Sequence, residues 1–199
     1  MHYISGILFW ISTGLLVPVI LLLIYFFVRA LILTGAFFSQ YIDRQRTQKQ
    51  MHPAIEALTV DNLNNLTEHI PAKTRSLFVL YLKQLLDAGH NLPKIEKILT
   101  EYDSAADHDL SISKILTKMG PMLGLMGTLI PMGPALVGLS MGDIASMAYN
   151  MQVAFATTVI GLFSSAVGFA TQQAKQRWYI NELNDLEYVA NIIKTKYQS

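Results

Sequence analysis

One stretch limits what this chain can become. From Met119 to Gln172 the only charged residue is Asp143, and the rest is largely apolar. Uncharged apolar runs of about 20 residues are long enough to cross a bilayer as helices. The stretch reads as two such helices, about Ser113–Ser140 and Ile144–Gln172, joined by a tight turn at Met141-Gly142-Asp143. The interruptions are as informative as the apolar residues. Gly120, Gly124, Gly127, Pro131, Pro134 and Gly138 recur at alternating spacings of four and three, which places them on one stripe of the first helix. On the second helix Thr158, Gly161, Ser165, Gly168 and Gln172 do the same, with Thr157 and Ser164 beside them. Small residues let helices approach closely, and hydroxyls in hydrocarbon need partners or water. The hairpin is therefore expected to have one face for lipid and another for protein or a polar path.

Composition supports an integral membrane protein. The chain is 52% hydrophobic over 199 residues, and the apolar content is gathered into long runs. The net charge of +1 favours no charged partner, and no basic stretch is dense enough for nucleic acid. The absence of cysteine removes disulfides, thiolate catalysis and Cys-based metal sites. His2, His52, His69, His90 and His108 show no ligand spacing, so neither metal nor cofactor is expected.

Taken in order, the chain begins with an apolar run over about Ile7–Val28, read as a retained transmembrane helix. Tyr3 and Trp10 suit one interface and Arg29 the other, and Pro18 is expected to kink the helix. A polar segment of about Asp43–Ser111 follows. It reads as short amphipathic helices broken at Pro53, Pro71, Gly89 and Pro93, with Leu77, Leu80, Tyr81 and Leu85 on one face of Lys73–Asp87. Glu101, Asp103, Asp107 and Asp109 form an acidic cluster ahead of the next helix. A solvated loop outweighs cation binding there, since no EF-hand spacing is present. After the hairpin, Lys175-Gln176-Arg177 marks a membrane exit and Trp178 an anchor. Tyr179, Ile180, Leu183, Leu186, Ala190 and Ile193 follow at helical spacing. The fold class expected is an all-α integral membrane protein, with three transmembrane helices extending into a cytoplasmic helical bundle. Its parts are 1–42, the first span and its extension; 43–112, a cytoplasmic helical domain; 113–174, the hairpin; and 175–199, a cytoplasmic tail helix. Lys and Arg flank the spans only after the first, before the second and after the third. This predicts the N-terminus and the Asp143 turn outside, and the loop and tail in the cytoplasm.

No enzyme constellation appears. Gly124-Leu125-Met126-Gly127-Thr128 lacks a Walker lysine, and Asp143 after a glycine reads first as a cap or turn residue. Thr128, Thr157 and Thr158 leave two readings open. Each hydroxyl can bond back to its own helix, or the small-polar face can meet water or a polar partner.

At these residues the sequence resembles the MotA/TolQ/ExbB family of ion-driven motor stators. Gly124-Leu125-Met126-Gly127-Thr128 matches that family's Gly-Leu-x-Gly-Thr. Ala156-Thr157-Thr158-Val159-Ile160-Gly161-Leu162-Phe163 is similar to its Ala-Thr-Ala-x-Gly-Leu-Phe, with Thr158 on the family's third-helix threonine. The order of spans and polar segments agrees as well. Two positions depart from the TolQ and ExbB branch: Val153, beside Gln152, stands where that branch has a glutamate, and Val167 where it has a proline. The resemblance implies a homo-pentamer in the inner membrane, bounded by lipid. Its second and third helices would surround a smaller single-span partner of the ExbD, TolR or MotB type that supplies an aspartate. Thr128, Thr157 and Thr158 would belong to the ion path. Gly120, Gly124, Gly127, Pro131, Pro134, Gly161 and Gly168 would serve helix packing. The function so implied is coupling of proton or sodium flow to mechanical work. The alternative is a non-conducting scaffold that assembles through its small-residue faces.

Overall fold

The computed structural model describes residues 2–56, 76–89 and 91–198. The described residues form four helices and no strand: α1 (His2–Glu56), α2 (Leu77–Ala88), α3 (Leu92–Ser140) and α4 (Ile144–Gln198). Three of them, α1, α3 and α4, are long and apolar enough to cross a membrane. They pack into two compact units, one of Met1–Gly35 with Ile112–Gln172 and one of Ala36–Ser111 with Gln173–Ser199.

In the first unit α3 and α4 form an antiparallel hairpin. Its turn is a Schellman motif: Gly142 takes φ 76°, Asp143 N–H donates to the Gly138 carbonyl at 2.9 Å, and Gly142 N–H donates to that of Leu139 at 3.1 Å. The Asp143 carboxylate then accepts from Ser146 N–H at 3.0 Å and caps the start of α4. Against the hairpin lies α1, with Val19, Leu23 and Phe26 on Leu123, Ile130 and Ile160, and with Ala30 and Leu33 on Leu116 and Val167. The outward side chains are apolar almost throughout, among them Trp10, Leu15, Leu125, Leu129, Leu136, Phe155, Val159 and Leu162. An apolar surface this continuous needs lipid or protein against it rather than water.

The second unit has a conventional core to which all four helices contribute. Met51 and Ile55 come from α1; Phe78, Val79, Leu82 and Leu85 from α2; Ile95, Ile98 and Tyr102 from α3; Leu186, Val189 and Ile193 from α4. Asn91 caps α3 by accepting from Lys94 N–H at 3.1 Å.

Several local expectations are corrected here. Pro53 does not break α1, which runs on to Glu56; burial of Met51 and Ile55 on either side offsets the lost helix bond. Pro18, where a kink is expected, lies inside the continuous α1. Pro93 lies in the first turn of α3, where a missing N–H costs no helix bond. Gly89, with φ 57°, does end α2. Pro71, His69 and His90 lie outside the described residues. The expected face of α2 holds at Leu85, which is buried, and at Leu77 and Tyr81, which pack half-buried against the core, but not at Leu80. Phe78, Val79, Leu82 and Leu85 are buried, whereas Leu80 is 53% exposed. The run Leu77-Phe78-Val79-Leu80-Tyr81-Leu82 is apolar at every position, so its periodicity cannot choose a face. Finally, the acidic cluster is not a loop. Glu101, Asp103, Asp107 and Asp109 lie within α3, and no group of three His, Asp or Glu among the described residues could hold a metal ion.

Candidate functional site: the small-residue seam of the hairpin

The seam between α3 and α4 is closed by glycine. A Cβ added at Gly120 would lie 2.6 Å from the Gly161 carbonyl oxygen, and one at Gly161 would lie 2.9 Å from Gly124 Cα. One at Gly127 would fall 2.6 Å from both Cβ and Oγ1 of Thr157. A Cβ at Gly168 would meet Leu116 Cβ and Thr117 N at 2.8 Å, and one at Gly138 would meet the Asp143 carbonyl at 3.2 Å. Gly124 is less tight, with Thr158 Cα at 3.5 Å from the added carbon. Pro131 is buried and Pro134 half-buried on the same helix.

Hydroxyls punctuate this seam. Thr171 donates to Ser113 Oγ at 3.2 Å and to its own helix, both side chains being buried. Ser165 donates across to the Thr117 carbonyl at 2.9 Å. Thr157 is buried and donates to the Val153 and Ala154 carbonyls at 3.0 and 2.9 Å. Thr158 donates to the Ala154 carbonyl at 3.0 Å, and Thr128 to that of Leu125 at 2.7 Å; both side chains are half-buried. All three threonines thus bond back to their own helices, and each oxygen keeps lone pairs for a further donor or a cation.

Helix geometry says where the two half-buried threonines point. Gly127 faces Thr157 across the seam. One residue further on, each helix has turned by roughly 100°. Because α3 and α4 run antiparallel, those two turns go to the same side, so Thr128 and Thr158 share one flank at one level. The flank opposite holds α1, which packs on Leu123, Ile130 and Ile160. The pair therefore lies on the side of the hairpin away from α1. Ser165 follows on that side about two turns from Thr158, and Thr117 about three turns from Thr128.

Among the described residues, the second unit holds buried charges. Asp109 accepts from Lys175 Nζ at 2.8 Å and from the Tyr179 hydroxyl at 2.7 Å. Burial alone would raise the Asp109 carboxyl, but the hydrogen bonds from Lys175 and Tyr179 together with the nearby positive charge outweigh it and hold the group below its ordinary value. Glu182 pairs with Arg44 at 2.7 Å and accepts from the Tyr102 hydroxyl. Burial pushes this carboxyl above the ordinary value, and Arg44 and Tyr102 offset it only in part. Both tyrosines are driven far above the ordinary phenol value, by burial first and then by the neighbouring carboxylates, so they stay protonated donors. Arg44 also lies 4.9 Å over the Trp178 ring and donates to the Trp178 carbonyl at 2.8 Å, while Phe37 stacks on the same ring at 5.2 Å. Sequence reading misses both ion pairs. Asp109 and Lys175 are 66 residues apart, and only the heptad spacing of Lys175 with Glu182 hints at a shared face.

Three helices long and apolar enough to cross a membrane, two of them joined in a glycine-closed hairpin, define an all-helical membrane protein. The model of the MotA/TolQ/ExbB proton channel family matches residues 75–187, and the chain belongs to that family. No curated protein matches the chain.

Proposed function

We propose that this chain is the channel-forming subunit of an ion-driven motor complex, in which proton or sodium flow does mechanical work through a smaller single-span partner. One observation carries the reading. The flank bearing Thr128 and Thr158 offers hydroxyls at membrane depth but no carboxylate, and the only acid of the hairpin, Asp143, caps α4 at the turn. An ion crossing hydrocarbon needs a polar route. Hydroxyls can pass an ion or a water along but do not titrate near neutral pH, so the titrating acid must come from outside this chain. Several copies, five in the arrangement proposed, would turn these flanks toward an enclosed partner helix carrying an aspartate. The complex would lie in the inner membrane, with the N-terminus and the Asp143 turn outside and the second unit in the cytoplasm. The distribution of Lys and Arg supports that orientation.

The back-bonded threonines favour a second reading, a non-conducting scaffold whose seam serves only packing. Reconstitution into liposomes with an imposed ion gradient separates the two. The motor reading expects flux when a single-span partner bearing a membrane aspartate is co-reconstituted, and none without it. Absence of flux in both preparations would favour the scaffold.

A further inference from the structure

Thr157 and Thr158 are neighbours in sequence but not in environment. Thr157 is 5% exposed, and its Cβ and Oγ1 fill the space a side chain at Gly127 would need. Thr158 is half-buried, and its backbone approaches α3 at Gly124. The fit at Gly127 fixes the rotation of α4 about its own axis. A bulkier residue there would push Thr157 aside, and a smaller one at 157 would leave a gap into which α4 could turn. Any such turn swings Thr158, about 100° further round, toward or away from the flank opposite α1.

We propose that Thr157 is a positioning residue, keyed into Gly127, whose bulk aims the Thr158 hydroxyl at the flank of the hairpin away from α1. This rests on the reading of that flank as an ion route. Its essential property is volume: the Thr157 hydroxyl donates only to carbonyls of its own helix. Gly124 serves the same geometry by letting the Thr158 backbone come close, and neither residue need touch the ion.

The chain has no cysteine, so a thiol at 158 reports alone. The test uses Thr158→Cys in the assembled complex in membranes, labelled by a small charged thiosulfonate, in five backgrounds. These are wild type, Thr157→Val, Thr157→Ala, Gly127→Ala, and Thr157→Ala with Gly127→Ala. The expected labelling rate with Thr157→Val is within about twofold of wild type, since the branched shape that fills the slot is kept and the lost hydroxyl bonded only back to its own helix. Thr157→Ala and Gly127→Ala each change it by about fivefold or more, because a packed seam passes on a clash or a gap rather than absorbing it. The double variant, which removes the methyl and hydroxyl of Thr157 and adds a methyl opposite at Gly127, returns toward wild type. That rescue separates a key-and-slot fit from general loss of stability. Equal labelling in all five backgrounds would overturn the positioning role and leave the ion route standing. No labelling in any background would overturn both. A change with Thr157→Val as large as that with Thr157→Ala would assign the role to the hydroxyl and overturn the volume argument.

Discussion

Ser165 on α4 donates its hydroxyl to the Thr117 carbonyl on α3 at 2.9 Å, and Pro121 is the reason that carbonyl is free. A helical carbonyl bonds the N–H four residues on, and at 121 there is no N–H. The proline opens a polar site in the seam and the serine closes it. Ser165→Ala should therefore destabilise the hairpin by about 1–3 kcal/mol, the cost of a buried acceptor left unmade. In a Pro121→Ala background, where the helix supplies its own N–H, the same change should cost much less. Thermal unfolding of the four variants in detergent measures the cycle, and additive effects would contradict the pairing.

Glycines at the seam and glycines facing outward should respond oppositely to a methyl group. Gly161→Ala places a carbon against the Gly120 carbonyl and the Gly124 backbone, which cannot rotate away. Overpacking of this kind costs about 1–3 kcal/mol. Gly14→Ala in α1 meets nothing within 4 Å, and should be neutral or slightly stabilising through helix propensity. Melting temperatures and the yield of assembled protein should separate the two. Equal tolerance would mean that the seam is looser than its geometry.

The two carboxylates of the second unit give opposite pH dependence. Asp109 is held below its ordinary value in the fold. Its contribution is present above the unfolded carboxylate value and is lost as pH falls through the folded one. Glu182 is raised, so the fold binds its proton more tightly than the unfolded chain does. That contribution is full at acid pH and fades as pH rises through the raised value. Asp109→Asn should flatten the acid limb of a stability profile and Glu182→Gln the upper one. Asp109→Asn also leaves Lys175 buried without its counter-charge, at a cost of about 3–5 kcal/mol, and adding Lys175→Met should recover most of it. A profile unchanged by either substitution would contradict these assignments.

How far the sequence foretold this depends on the range of the interaction. The apolar runs, the hairpin turn and the end of α2 at Gly89 are local, and their physics is written in a few adjacent residues. The seven-residue rhythm of glycines and hydroxyls marks a stripe in the same way. Pro53 misleads because its cost is local while its compensation, the burial of Met51 and Ile55, is tertiary. The α2 face is ambiguous because its first six residues are all apolar. The acidic residues of α3 look alike in sequence, and only the arrival of Lys175 and Tyr179 from α4 sets Asp109 apart. For Thr157 and Thr158, composition offers no distinction at all. The phase of α4 against α3 makes one a key and leaves the other on the flank.

Assembly follows from the same surfaces. The outward residues of α3 and α4 are apolar and unpartnered in one copy, and the proposed pentamer would enclose one side of them. Native mass spectrometry after mild detergent extraction should give a homo-oligomer with a five-copy peak dominant. A clean monomer would count against the motor reading.

The central claim is that the hydroxyl flank conducts, and Thr158→Val tests it most directly. The substitution keeps the branched shape and removes the only polar atom of that side chain. Flux is measured in liposomes containing this subunit with its aspartate-bearing partner, beside Asp143→Asn as a control at the turn. The account predicts that Thr158→Val lowers flux by about tenfold or more, as a broken polar route should, while the complex stays assembled. Asp143→Asn should change flux far less. Undiminished flux from an intact Thr158→Val complex would contradict it.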